Sequence, residues 1–278
     1  MSGEFGVKNT CAALGVPTSS YYYWLNKGKA REERTVRLYL DIIGIYSESK
    51  GIYGAPKISA ELNKKGTSVS VATVSRAMKT LGIRSIVAAK FTNKRTTLTE
   101  QEKQHIVNLI KDIKIVRKNQ VWTTDITYIK TVNEGNYYLI TFLDSYSRCV
   151  VAYDLRKKQT TYDIIEVLKR GISLRKPDPG LIIHSDKGSQ FRSAEYRTFL
   201  SGNCFIASYT SLDHSCDENA VQESFHSLIK KECIYQTKLY GFDDAFRVIS
   251  EYIDFFYNVK RSHSSIDYFS PAEFERLS

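Results

Sequence analysis

Three acidic residues have the type and setting for chemistry on phosphate. Asp125 lies inside the strand-like run WTTDITYI and shares a face with Thr123 and Thr127. A carboxylate in mid-strand is expensive to bury unless it is paired or bound to a metal. Asp186 directly follows the apolar stretch Leu181 to Ile183 in LIIHSDKGSQF, and the end of a buried strand is a common place for a functional side chain. Glu223 falls in the helical segment DENAVQESFHSLIKKE. There Val221, Phe225 and Leu228 form an apolar stripe, and Asn219, Glu223, Ser227 and Lys230 form a polar one. If the first stripe packs on a sheet or a neighbouring helix, the second lines a cleft. Taken singly, either aspartate is equally ordinary as a turn or capping residue, and the glutamate as part of a solvated face.

Taken together, three converging carboxylates in a basic chain are expected to hold two Mg²⁺ ions, because magnesium takes oxygen ligands. Two ions about 3.5–4 Å apart would activate an attacking oxygen and stabilise a leaving one during in-line displacement at phosphorus. Lys230, two helical turns past Glu223, is placed to contact a phosphate on the same face. Asp144 is read as a structural acid after the second strand and His184 as a structural histidine beside the site. Arg148, Lys157 and Lys158 either track phosphates or are simply solvated.

The elements that must position these residues begin with a split in character along the chain. Of 278 residues, 40 are Lys or Arg and 30 are Asp or Glu, a formal net charge of +10 that suits a polyanionic partner such as nucleic acid. Residues 8–28 read as two short helices around Gly15-Val16-Pro17, with the aromatic run Tyr21-Tyr22-Tyr23-Trp24 in the second. Residues 33–82 read as three helices. The first carries Val36, Leu40, Ile43 and Tyr46 at helical spacing. The second spans Ala55 to Lys64, with Ile58 and Leu62 on one face. Ser70 caps the third, Val71 to Leu81, and Gly82 ends it. Val71, Val74, Met78 and Leu81 form its buried stripe. Ser70, Thr73, Arg76, Ala77 and Lys79 face outward, as the second helix of a helix-turn-helix does toward the major groove.

A charged connector follows, with Thr99 opening a helix that carries Ile106, Leu109, Ile110 and Ile113. From Asn119 the pattern turns to strands: Val121 to Ile129, Tyr137 to Leu143 and Cys149 to Leu155, the first two joined by a hairpin at Asn133 to Asn136. A helix at about 160–174, a strand at 181–184, a helix at 193–200, a strand at 205–209 and helices from near Asp217 and Phe242 complete the order. Three antiparallel strands followed by alternating helices and strands describe an α/β domain with a mixed sheet, compatible with a ribonuclease H-like fold. The expected organisation is a helical segment at 1–30, a helix-turn-helix domain at 31–90, a linker helix at 91–113 and a catalytic domain with a C-terminal helical extension at 114–278.

Five scattered cysteines, Cys11, Cys149, Cys204, Cys216 and Cys233, point to a reducing interior rather than a disulfide framework. His214, Cys216, His226 and Cys233 crowd one stretch, but their spacing matches no zinc module and they are read as structural. The N-terminus is not a signal peptide, and no run approaches the roughly 20 apolar residues of a membrane span. A cytoplasmic location is expected.

The acidic blocks NQVWTTDITYI, HSDKGSQF and ENAVQESFHSLIKKE resemble those of the retroviral-integrase superfamily, specifically transposases of bacterial insertion sequences and the second-reading-frame product of the IS-three family. LGVPTSSYYYWL resembles that family's opening motif, YGAPKISAELNKKGTSVSVATVSRAMKTLGI its helix-turn-helix, and YNVKRSHSSIDYFSPAEF its C-terminal signature. The resemblance covers nearly the whole chain. It implies a ribonuclease H-like fold, Asp125, Asp186 and Glu223 as catalytic acids, Lys230 as the accompanying basic residue, and Mg²⁺ or Mn²⁺ as cofactor. It also implies recognition of terminal inverted repeats, 3′-end cleavage by water, and attack of the freed 3′-hydroxyl on target DNA, by at least a dimer on DNA and through a copied circular intermediate. Asn219 belongs to the third block, and Lys260, Arg261 and His263 to the signature, where they either contact DNA or pack beside the site. Members are often fused by frameshifting to an upstream DNA-binding and coiled-coil region, so this chain is expected to be the catalytic half, working near the nucleoid. Three features depart from the family. The spacing from Asp186 to Glu223 is one residue longer than usual, Asp213-His214-Ser215 replaces a glycine and a small polar residue, and Glu218 stands where an aspartate is usual. A DNA-binding regulator without activity and a nuclease without strand transfer are the rival readings.

Overall fold

The computed structural model describes residues 6–88, 107–210 and 219–278. The chain divides into two compact units, residues 1–88 and 89–278.

In the first unit, α1 (Val7–Ala13) is followed by α2 (Thr18–Glu48), α3 (Ala55–Lys64) and α4 (Val71–Thr80). Gly15 at φ +64° and Pro17 separate α1 from α2. The helix then runs unbroken through residue 30, where a boundary between two segments was expected. Lys, Ala, Arg and Glu dominate residues 27–34 and are strong helix formers, and a lone Gly28 disfavours the helix by only about 1 kcal/mol. Ile42, Ile45, Ile58, Leu62, Val74, Ala77 and Met78 make the core of this unit. The turn between α3 and α4 is pinned from α3. Ser59 Oγ donates to the Val69 carbonyl at 2.9 Å, and the Val69 amide donates to Asn63 Oδ1 at 2.8 Å. Ser70 Oγ then accepts from the Thr73 amide at 3.2 Å and caps α4. Pinned in this way, α4 is rotated from the expected setting. Ala77 is buried rather than outward, while Val71 is 46% exposed and Leu81 is half-buried.

In the second unit, β1 (Val121–Thr131), β2 (Gly135–Asp144) and β3 (Val150–Arg156) form an antiparallel meander. The helix α5 (Thr161–Arg175) leads to β4 (Ile182–Ser185), the single turn α6 (Ser189–Arg192), α7 (Ala194–Gly202) and β5 (Ile206–Tyr209). The strand order is β3-β2-β1-β4-β5, with β4 parallel to both β1 and β5. This is the expected mixed α/β sheet of the ribonuclease H-like kind. Because side chains alternate across a strand, each face of the sheet carries its own core. Trp122, Ile140, Phe142 and Ala152 pack with Ile164, Val167, Leu168, Tyr196 and Leu200 of α5 and α7. Ile129, Leu139, Leu143, Val150 and Leu155 pack with residues of α8 (Ala220–Glu232), of α9 (Phe242–Ser250) and of the π-helical stretch Glu251–Tyr257 that continues it. The last helix, α10 (Pro271–Leu277), opens with a capping box between Ser270 and Glu273.

The expected helix through Leu109, Ile110 and Ile113 is absent: residues 107–120 are irregular, and the start of that expected helix lies outside the described residues. The segment lines the outer edge of β5 instead. The Tyr209 amide donates to the Val107 carbonyl at 3.1 Å, and the Leu109 amide to Ser208 Oγ at 3.0 Å. An edge strand offers unpaired backbone groups, and here they override the helical periodicity. Among the described cysteines, Cys11, Cys149 and Cys233 are buried, Cys204 is exposed, and all are free thiols.

Gly171 on α5 allows close helix–sheet approach, since a Cβ there would lie 3.0 Å from Ala152 Cβ and 3.3 Å from the Trp122 ring. Gly171→Val is expected to lower stability by about 1–3 kcal/mol through overpacking, although it removes a helix glycine; urea unfolding measures this. A second expectation concerns acid. Glu275 ties α10 to α5 through Arg175, with contacts of 2.5 and 2.7 Å, and accepts from Ser147 Oγ at 2.6 Å. Burial opposes its charged form, but the Arg175 and Ser147 contacts outweigh burial and hold the carboxyl below its ordinary value. A depressed carboxylate stabilises the fold above its unfolded pKa and loses that contribution as pH falls through the folded pKa. Glu275→Gln should therefore destabilise the protein at neutral pH and make progressively less difference in acid, as paired denaturation curves would show.

Candidate active site

The pleat of β1 places Asp125 on one face with Thr123 and Thr127, as the sequence predicts. Parallel pairing sets Thr124 opposite Ser185, so the next residue on each strand brings Asp125 and Asp186 side by side where β4 ends. Asp125 has a neighbour at each oxygen. Oδ1 accepts from the Ile126 amide at 2.8 Å, and Oδ2 lies 3.3 Å from His226 Nδ1. Asp186 Oδ1 accepts from the Gly188 amide at 2.8 Å. Its carboxyl is raised above the ordinary value, first by desolvation from the surrounding protein and then by the negative charge of Asp125, with Gly188 and Arg192 opposing. Asp186 nevertheless stays open to solvent on one side.

Helix α8 carries the third acid on its outward side, as expected, but its buried face is not the expected stripe of Val221, Phe225 and Leu228. Its buried face consists of Gln222, Phe225, His226, Ile229 and Glu232, while Val221 and Leu228 are only half-buried. Gln222 Nε2 donates to Thr141 Oγ1, and Gln222 Oε1 accepts from Thr123 Oγ1 at 3.3 Å. His226 Nε2 lies 3.2 Å from Thr141 Oγ1. Glu223 is exposed one residue beyond Gln222 and one turn before His226, so it stands at the rim of the same surface. Among the described residues, no three His, Cys, Asp or Glu side chains are close enough together to hold a metal ion. The structure thus joins the two aspartates and carries Glu223 on the adjoining helix without closing a three-donor set. Gln222 and His226 were missed by sequence reasoning. The signal was present in their spacing of four, but a polar pair does not announce a buried face.

Comparison with known proteins decides the family. Integrase core domain models match residues 116–211 and 209–271, and an HTH-like domain model matches residues 32–91. The insertion element IS600 31 kDa protein of Shigella sonnei is 32% identical over 95% of this chain and 96% of its own length. The transposase InsF for insertion sequence IS3A of Escherichia coli is 30% identical over 98% of this chain and 94% of its own. The chain belongs to the IS3 family of transposases. The transposase for the Lactococcus lactis element IS904 is also 30% identical, over 89% of this chain. Among solved structures, the catalytic core domain of HTLV-2 integrase in complex with magnesium aligns at a TM-score of 0.45 and 20% identity, over 56% of this chain and 96% of that one.

The remaining expected residues of this transposase separate clearly. Asp144 is a structural acid. It is buried and accepts from the amides of Asn119, Tyr146 and Ser147. His184 is buried, with Nδ1 2.9 Å from Ser208 Oγ. Lys230 is half-buried, with Nζ 4.9 Å from the Tyr128 ring centroid; burial lowers its pKa and the charge of Asp125 opposes that. Ser70, Arg76 and Lys79 are exposed on α4 and Thr73 is half-buried against Ser70. Lys260 is exposed. Lys157 Nζ donates to the Glu134 carbonyl at 2.7 Å. Asn219, expected at DNA, is buried where α8 begins. His214 and Cys216 lie outside the described residues.

Arg261, expected either to contact DNA or to pack beside the site, takes the packing role. It is buried, and its guanidinium grips Glu232 through Nε at 2.8 Å and Nη2 at 2.7 Å, while Tyr252 donates to the same carboxylate at 2.7 Å. A charge fixed in this way is not offered to DNA. Breaking one side of a buried pair strands the other charge and typically costs about 3–5 kcal/mol. Arg261→Ala should destabilise the catalytic unit by that amount in chemical denaturation. Loss of DNA affinity in a variant of unchanged stability would refute this placement.

Proposed function

We propose that this transposase binds the ends of its insertion sequence, cleaves their 3′ ends and joins them to target DNA. The carrying observation is the pairing of Asp125 and Asp186 across two parallel strands, where burial and the charge of Asp125 together oppose the ionisation of Asp186. The donor set fits a hard divalent cation. It offers carboxylate oxygens and no thiolate, and a positive ion would offset the desolvation and the Asp125 charge that raise Asp186. Asp125, Asp186 and Glu223 would hold Mg²⁺ or Mn²⁺, as two ions in the full site. Bound there, the cations would activate the attacking oxygen and stabilise the leaving one.

The chain's own groups do the rest. Lys230 supplies positive charge on the Asp125 side of the site, suited to steadying a phosphate. Ser70, Thr73, Arg76 and Lys79 present α4 to the major groove at a terminal inverted repeat, and the exposed Val71 adds an apolar contact of the kind that reads a thymine methyl. Lys260 adds a phosphate contact. Joining two ends requires at least a dimer on DNA, with an upstream helix-turn-helix and coiled-coil partner supplying further affinity. The same reading includes work at the nucleoid and a copied circular intermediate. None of the described helices is long and apolar enough to cross a membrane.

Labelled DNA carrying the element's ends, incubated with and without Mg²⁺ beside Asp186→Asn, tests the proposal. Metal-dependent cleavage and joined products are expected, falling to background in the variant and in Glu223→Gln. Cleavage without joining would identify a nuclease. Binding without either product, persisting when the upstream region is fused, would identify a silent regulator.

A further inference from the structure

We infer that His226 is a positioning residue for the Asp125 carboxylate, held in place by a polar clamp between α8 and the sheet. The inference deepens the metal-site reading above and rests on it. His226 is buried, as are Thr123, Thr141 and Gln222, so water does not compete freely for their contacts. The clamp has a hub. Thr141 Oγ1 receives the Gln222 amide, stands 3.2 Å from His226 Nε2, and lies 3.4 Å from the Asp125 carbonyl oxygen. Gln222 reaches across to Thr123 on the neighbouring strand.

This arrangement gives each ring nitrogen a different task. Nδ1 faces a carboxylate oxygen, which only accepts, so Nδ1 carries a hydrogen. Nε2 faces a hydroxyl, which both donates and accepts, so it is served with or without a hydrogen. With the ring fixed at Nε2 and the backbone fixed by strand pairing, Oδ2 of Asp125 has one preferred position. Oδ1 is set independently by the Ile126 amide. Two-point restraint stops the carboxylate from turning about its terminal torsion, and each oxygen keeps a second lone pair for a cation. Groups of this kind behind metal ligands typically alter metal affinity or activity by about 10- to 100-fold. The same clamp seats the first turn of α8, and therefore Glu223 three residues before His226.

The experiment compares the full chain with His226→Phe, which keeps ring volume and loses both nitrogens, and His226→Asn, whose amide can replace the Nδ1 donor. Thr141→Val removes the hub without touching the histidine. Mn²⁺ binding is read by calorimetry, DNA affinity by gel shift, strand transfer by product yield, and folding by thermal melting. The expected result is Mn²⁺ affinity and strand transfer lowered about tenfold or more in His226→Phe, a smaller loss in Thr141→Val, and substantial recovery in His226→Asn, all at unchanged DNA affinity. Wild-type Mn²⁺ affinity in a folded His226→Phe would overturn the inference. Equal loss in the Phe and Asn variants would also overturn it, because packing rather than a nitrogen donor would then be responsible. If His226→Phe does not fold, Thr141→Val and His226→Asn decide between the same outcomes. A wild-type chain that binds no Mn²⁺ and matches Asp186→Asn in activity would instead sink the metal-site reading itself.

Discussion

Two like charges held side by side are the constraint around which the catalytic unit is arranged. Parallel pairing of β1 with β4 brings Asp125 and Asp186 together, and backbone hydrogen bonds leave them little freedom to part. The pair is unfavourable at Asp186, whose charged form is opposed first by desolvation and then by the charge of Asp125. The fold tolerates it because the rest of the sheet is secured by two large apolar cores, one on each face. In the proposed reading, a cation bound there would offset that cost, which would link the strand topology to phosphoryl chemistry.

The helix α8 connects that pair to the remainder of the unit. Its buried face is mixed: Phe225 and Ile229 enter the apolar core, while Gln222 and His226 meet threonines on β1 and β2. Apolar burial gives attraction without direction, whereas the polar contacts determine how the helix is rotated. At the far end of α8, Glu232 is locked by Arg261 and Tyr252. Burial alone would weaken the guanidinium's charge, but the carboxylate more than restores it. The C-terminal helical extension thus acts as a brace, anchoring the last turn of the helix whose first turn carries Glu223.

Much of this was legible in the residues. Strand alternation around Asp125, the apolar run before Asp186 and the hairpin at Asn133 to Asn136 describe the sheet directly, because a period of two and turn chemistry are local properties. The α4 cap at Ser70 was legible for the same reason. The failures share a different cause. The helix expected through Leu109 and Ile113 gave way to edge contacts with β5, and α4 took its rotation from hydrogen bonds reaching from α3 to Val69. The first depends on a partner far away in sequence, and the second on side chains of the preceding helix reaching into the turn, which helical periodicity does not report.

By itself, then, the sequence determined which residues carry acid, most of the strand and helix segments, and a positive charge that suits a polyanionic partner. Only the tertiary structure decided which side of α8 faces the sheet, that His226 and Gln222 are buried against threonines of β1 and β2, and that Arg261 is buried against Glu232. The physical reason is that residue type and periodicity report local preference, whereas burial and pairing are set by what the rest of the chain brings alongside. An arginine in a conspicuous motif looks the same on paper whether its partner is a phosphate or Glu232.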